Sequence, residues 1–222
     1  MVAAIDSANR KQLSEEVADY VRQAIMAGEI RPGQSIRADA LGEVLAVSAT
    51  PVREALHALK VEGFLDLIPR RGFAVAQLTG ADIRDIFRAH ALLAGELAAR
   101  AAQHATPERV AELQALHFEL MAAANRDDAE LLEKKNHEFH REVYLMAESP
   151  RLRRALGTFS RYVPRKFYGE IPGWPDTTAS DHSAVIDAIA ANDAQAARDA
   201  MERHISNAGE LLASHFEARQ DA

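Results

Sequence analysis

The chain has 222 residues, 48% of them hydrophobic and 27% charged, and a formal net charge of −7 at neutral pH. That composition supports a packed core in one large or two small domains. No apolar run reaches the roughly 18 residues of a membrane span, the opening "MVAAIDSANRKQ" is too briefly apolar for a secretory signal, and the absence of cysteine excludes disulfides and thiolate metal ligands.

A cytoplasmic protein is expected. Its acidity is uneven: residues 1–76 carry 9 Lys/Arg against 10 Asp/Glu, and the remainder 17 against 23. A near-neutral first part followed by an acidic second part suggests two domains with different partners, and the total does not exclude nucleic acid, because binding depends on where charge lies.

Leu13, Val17, Tyr20, Val21, Ala24 and Ile25 recur at helical spacing, and Gly28 is a stop. A second helix is expected over Ala38–Leu45, with Leu41, Val44 and Leu45 inward. In "AVSATPVREALHALKVEGF", Ser48 is a suitable N-cap and Pro51 is tolerated in the first turn, so a third helix should run to Val61, with Gly63 ending it. Val52, Leu56 and Leu59 form its apolar stripe; Arg53, His57 and Lys60 repeat that spacing one residue later and point away from the core. "FLDLI" and "FAVAQL" then read as strands joined by "PRRG".

Three helices and a basic-tipped hairpin are the layout of a winged helix-turn-helix, whose third helix enters the major groove. Ser48 and Thr50 at that helix start suit a phosphate oxygen, and Arg53 has the fork that matches guanine. The expected DNA-facing set is Arg37, Ser48, Thr50, Arg53, His57, Arg70 and Arg71. Gly28, Pro32-Gly33, "VSATPVREAL", Glu62-Gly63 and "RRGFAV" together resemble the DNA-binding domain of the GntR family of bacterial transcription regulators, over about residues 10–76. The resemblance implies contact with DNA at Ser48, Thr50, Arg53 and Gly72. Ala49 departs from it, standing where many members have Arg.

"QLTGAD" reads as a linker, over residues 77–80, and Thr79 with Asp82 forms a capping-box start. Beyond it, helices are expected at about 81–104, 107–125, 129–147, 151–168, 181–191 and 194–217. Breaks fall at Thr106-Pro107, Asn125–Asp128, Ser149-Pro150, the "GEIPGWPDTTAS" loop, in which Trp174 serves as an anchor, and Asn192-Asp193. The fold class is therefore mainly α, a winged helix-turn-helix followed by an antiparallel all-α bundle over residues 81–222.

Four residues of the bundle stand on apolar faces. Asn136 and His140 are i, i+4 on the face of Val143 and Tyr144; His182 aligns with Ile186 and Ile189; His204 aligns with Ala208 and Leu211. Each histidine alone reads first as a hydrogen-bonded core residue, but three converging imidazoles would hold a divalent metal, Zn²⁺ or Ni²⁺ rather than Mg²⁺ or Ca²⁺. His104, His117, His137 and His215 show no partner in the pattern.

Residues 80–217 resemble the FCD ligand-sensing domain of the FadR subfamily, in which many members bind metal through one Asp and three His. The resemblance maps that set to Asn136, His140, His182 and His204, with an uncharged amide in place of the carboxylate. It also places His90 where many members have an Arg that reaches a carboxylate effector, with Arg88 or Arg161 as alternative sources of charge.

The function this implies is a ligand-responsive transcription factor: a homodimer on a palindromic double-stranded operator, controlled by a small carboxylate effector and a metal. It would be neither an enzyme nor a membrane protein. Two alternatives stay open at this stage, a metal-dependent hydrolase, against which Glu138 points to another side of its helix, and a purely architectural DNA-binding dimer.

Overall fold

The structure, a computed structural model, describes residues 6–162 and 174–220. The chain divides into two compact units, Met1–Leu78 and Thr79–Ala222.

The first unit contains α1 (Asp6–Met26), β1 (Ser35–Ile36), α2 (Ala38–Leu45), α3 (Ala49–Val61), β2 (Leu65–Ile68) and β3 (Gly72–Val75). Helices α1 and α2 pack on α3, whose Val52, Ala55, Leu56 and Leu59 are fully buried. The expected stripe is thus the core of the unit. Val44, expected inward, faces out at 74% exposed, and Tyr20, one of the helically spaced residues of α1, is 46% exposed. On α1 the buried surface is made by Val17, Ala18, Val21, Arg22, Ala24 and Ile25, a stripe that leaves Tyr20 at its margin. On α2, only eight residues long, the buried Gly42 lies against the following turn, where a Cβ would stand 2.6 Å from the Val47 carbonyl oxygen, and Val44, two residues on, falls about 200° around the helix from it.

The sheet is antiparallel in the order β1-β3-β2, with Ile36 opposite Phe73 and Leu67 opposite Phe73 on the other side. Two residues of β1 are too few to show period-two patterning, so the hairpin strands were legible in the sequence and this strand was not. A Cβ on Gly72 (φ +95°) would lie 3.2 Å from the Ile36 carbonyl oxygen, which ties the wing to β1 at a position suited to glycine.

The second unit comprises α4 (Gly80–Gln103), α5 (Pro107–Ala124), α6 (Ala129–Met146), α7 (Pro150–Phe159), a 3₁₀ turn (Ser160–Tyr162), α8 (Trp174–Ala190) and α9 (Ala194–Gln220). The capping box at Thr79–Asp82 is formed in both directions, and Thr106, Asp128 and Asp193 cap α5, α6 and α9. Helices α4 and α9 run antiparallel in close contact, with Gly209 against Phe87 and Gly95 against Glu202. Two boundaries differ from expectation. The helix expected to reach residue 168 ends at Phe159, with the 3₁₀ turn after it and residues 163–173 outside the described set. Helix α8 begins seven residues early, at Trp174, so the Trp/Pro/Asp/Thr stretch that reads as a loop is helical. Proline is accepted in a first turn, and the 2%-exposed Trp174 and 1%-exposed Thr178 bury that turn.

Candidate functional sites

In the first unit, Ser48 occupies the N-cap of α3 in extended backbone, but its side chain makes no cap hydrogen bond. Ser48, Thr50, Arg53 and His57 are all exposed along one side of the helix. Arg53 Nη2 donates to Asp39 Oδ1 at 3.0 Å, a pair more than half open to solvent. The His57 ring meets Phe73 of β3 edge-on, centroids 5.1 Å apart, so the recognition helix touches the wing strand at this point. Arg37 is exposed at the start of α2. At the wing tip, Arg71 N donates to Ile68 O at 3.0 Å, closing a turn in which Arg70 holds φ +65°. Pro69 fixes the preceding φ as negative, which makes this a type II arrangement with arginine where glycine or asparagine is usual.

In the second unit, α6, α8 and α9 bring His140, His182 and His204 together, one ring nitrogen from each lying within 4.8 Å of the others. The Nε2 atoms of His140 and His204 are 3.1 Å apart, with rings stacked at 18°. His182 lies face to face with Phe139, centroids 3.9 Å apart, and edge-on to the other two rings.

Burial is the dominant influence on these groups. It holds His140 and His182 well below the ordinary imidazole pKa, and the neighbouring histidines add to the effect. His90 on α4, 5% exposed, is pushed down to about 4, by burial first and then by His204. Neutral imidazole is the form that ligates metals.

The cluster also contains unanswered polar atoms. Both ring nitrogens of His182, both of His90, His204 Nδ1 and Asn136 Oδ1 are buried without hydrogen-bond partners. Buried polar groups are ordinarily satisfied, and each such atom costs about 1–3 kcal/mol. A cation at the cluster would take up one ring nitrogen from each of His140, His182 and His204. Two imidazole nitrogens on one tetrahedral Zn²⁺ stand roughly 3.3–3.4 Å apart, close to the His140–His204 separation. The donor set fits a borderline metal such as Zn²⁺ or Ni²⁺.

Other polar groups meet these rings and the remaining histidines. His204 Nδ1 faces Asp181 Oδ2 at 3.5 Å, and Asn207 Nδ2 donates to the same oxygen at 2.9 Å. His140 Nδ1 is 3.4 Å from the Tyr144 hydroxyl. His117, read from the sequence as partnerless, has its ring centroid 6.0 Å from that of His182 and its Nε2 3.4 Å from Ser183 Oγ. His104 Nδ1 meets the Met146 carbonyl oxygen at 3.3 Å.

The remaining candidates lie elsewhere. Arg88 is exposed, roughly half a turn around α4 from His90. Arg161 is exposed on the 3₁₀ turn. Glu138 pairs with Lys135 at 2.7 Å.

Comparison with known proteins agrees with both units. The GntR family of bacterial regulatory proteins matches residues 13–75, and the FCD domain matches residues 85–207. A protein of Paenarthrobacter nicotinovorans named "Probable D-xylose utilization operon transcriptional repressor" is 27% identical over 200 residues, 89% of this chain and 87% of its own length. The HTH-type transcriptional regulator McbR of Escherichia coli is 30% identical over 138 residues, 62% of each chain. The solved structure of E. coli McbR/YncC superposes with a TM-score of 0.71 at 24% identity, covering 97% of this chain and all of that one. Both named relatives are transcription regulators rather than enzymes, so the hydrolase alternative falls away.

Proposed function

Because the chain belongs to the GntR family of bacterial transcription regulators and carries an FCD domain, we propose that it is a homodimeric regulator whose α3 reads a palindromic operator under the control of a metal-dependent carboxylate effector. GntR regulators bind DNA and FCD domains bind small-molecule effectors. The finer reading rests on this chain's own residues.

On DNA, Arg53 meets a guanine edge. Ser48 and Thr50 hold a phosphate at the open start of α3, and Arg37, Arg70 and Arg71 lie along the backbone. A C2 dimer places two such helices one DNA turn apart. Leu92 and Phe118, 49% and 69% exposed on α4 and α5, offer apolar surface for a second copy to cover. The regulator acts in the cytoplasm, where the operator is.

In the bundle, His140, His182 and His204, with the Asn136 amide oxygen, hold Zn²⁺ or Ni²⁺. When bound, that ion supplies positive charge for an anionic effector, which the neutral His90 cannot provide and the outward-facing Arg88 does not. His90 contributes an N–H to the effector. The observation that carries this reading is that three histidines of different helices bring one ring nitrogen each within 4.8 Å, with unpartnered buried polar atoms on His182 and on Asn136, one turn before His140.

The test is selection of binding sites from random duplexes, followed by titration of small carboxylic acids with and without metal. The reading requires a palindromic site and an acid that changes operator affinity only in the metal-loaded protein. Linkage makes the effect reciprocal, so operator DNA must shift the affinity for that acid by the same factor. Equal acid affinities with and without operator would end the allosteric claim.

A further inference from the structure

We propose that Asp181 is the positioning residue of the histidine cluster and that, acting through His204, it supplies the negative charge which Asn136 does not. The inference rests on the metal-binding reading above and identifies how this chain completes that site.

His204 turns Nε2 toward His140, at 3.1 Å, and Nδ1 toward Asp181, at 3.5 Å. An imidazole that ligates through one nitrogen carries its proton on the other, and a carboxylate at that position fixes both tautomer and ring angle while raising ligand basicity. Asp181 is itself fixed: it is 8% exposed and accepts from Asn207 Nδ2 at 2.9 Å, with Asn207 on the same helix as His204. The Tyr144 hydroxyl stands behind His140 Nδ1 in the same way but carries no charge, and the stacked Phe139 orients His182 without polar contact. Asp181 thus places a carboxylate 3.5 Å from His204 Nδ1, a separation that ligation at Nε2 would close into a hydrogen bond. With a divalent ion held by three imidazoles and an amide, it is the countercharge.

Its place in the chain explains why one residue can serve so. Asp181 and His182 are consecutive on α8, so their side chains diverge by about 100°. His182 enters the cluster from one side while Asp181 reaches His204 on α9 behind it.

The experiment is a chelator-competition measurement of Zn²⁺ and Ni²⁺ affinity on the full-length protein, for the parent, Asp181→Asn, Asn136→Asp and the double variant. Asp181→Asn should weaken binding ten- to hundredfold. Asn136→Asp, which restores a carboxylate at the cluster, should tighten the parent's binding, and in the double variant it should recover affinity to within a few fold of the parent. A merely structural role for Asp181 predicts no such rescue. Should Asp181→Asn not fold, Asn207→Ala, which releases the same carboxylate, should weaken binding two- to tenfold. Parent-like affinity in Asp181→Asn, or a double variant as weak as the single, overturns the assignment alone. A parent that takes up neither metal overturns the metal reading and the assignment with it.

Discussion

His140 and His204, from helices α6 and α9, hold their Nε2 atoms 3.1 Å apart with their rings stacked. Without a third party the pair can share one hydrogen bond, which leaves both nitrogens of His182 beside them unanswered. Fold and function therefore pull in different directions at this point, and the difference is measurable.

Replacing His182 by leucine removes two buried unpartnered nitrogens, so metal-stripped His182→Leu should be more stable than metal-stripped parent by roughly 1–3 kcal/mol. With Zn²⁺ or Ni²⁺ added the order should reverse, because only the parent gains ligand stabilisation. Thermal melts of both proteins with chelator and with metal check this; a variant less stable than the parent in chelator would mean that His182 packs as an ordinary satisfied core residue.

Acid should weaken the metal-free fold through the same groups. A histidine with a lower pKa folded than unfolded stabilises the fold fully above its unfolded value, near 6.5, and loses that contribution as pH falls toward its folded value. For His90 that window runs from about 6.5 down to about 4, and the loss is on the order of 2–3 kcal/mol. Urea midpoints of chelator-treated protein should drop between pH 7.5 and 5, and drop less in His90→Leu. Parallel curves for the two proteins would contradict the assignment.

At the wing tip, Arg70→Gly should raise stability by up to about 1 kcal/mol, since φ +65° suits glycine and strains arginine. The same change should weaken binding to every DNA sequence and lower the salt slope by about 0.9. Denaturant melts and gel shifts over a range of salt give both numbers. An unchanged slope would place Arg70 away from phosphate.

Arg53→Ala should cost about 1–3 kcal/mol of specific binding while leaving non-specific affinity nearly intact. Its pair with Asp39 is open to solvent, so stability should change by less than about 1 kcal/mol. Footprints like those of the parent would remove Arg53 from the base-reading surface.

How much of this could be read beforehand follows from the range of each interaction. The stripe of Val52, Leu56 and Leu59, the capping box at Thr79, the breaks at Thr106 and Asp128, and the inward faces of His140, His182 and His204 are properties of single helices, and period and spacing reveal them. Strand β1 depends on pairing with Phe73 and Ala74 about forty residues away, and its two residues carry no pattern of their own. The early start of α8 is a burial effect, in which Trp174 and Thr178 are covered by the bundle, against the loop-like composition of the stretch. Asp181 and His117 were missed because their relation to the cluster runs between helices: His204 and His182 lie on other elements or on the neighbouring face, and no local spacing encodes that.

The central claim is tested most directly by elemental analysis of the parent and His140→Ala, both purified without a metal-affinity tag or chelator. About one Zn or Ni per chain in the parent, lost in the variant, is the predicted result. A parent that is empty and neither binds added Zn²⁺ or Ni²⁺ nor melts higher in their presence would contradict it.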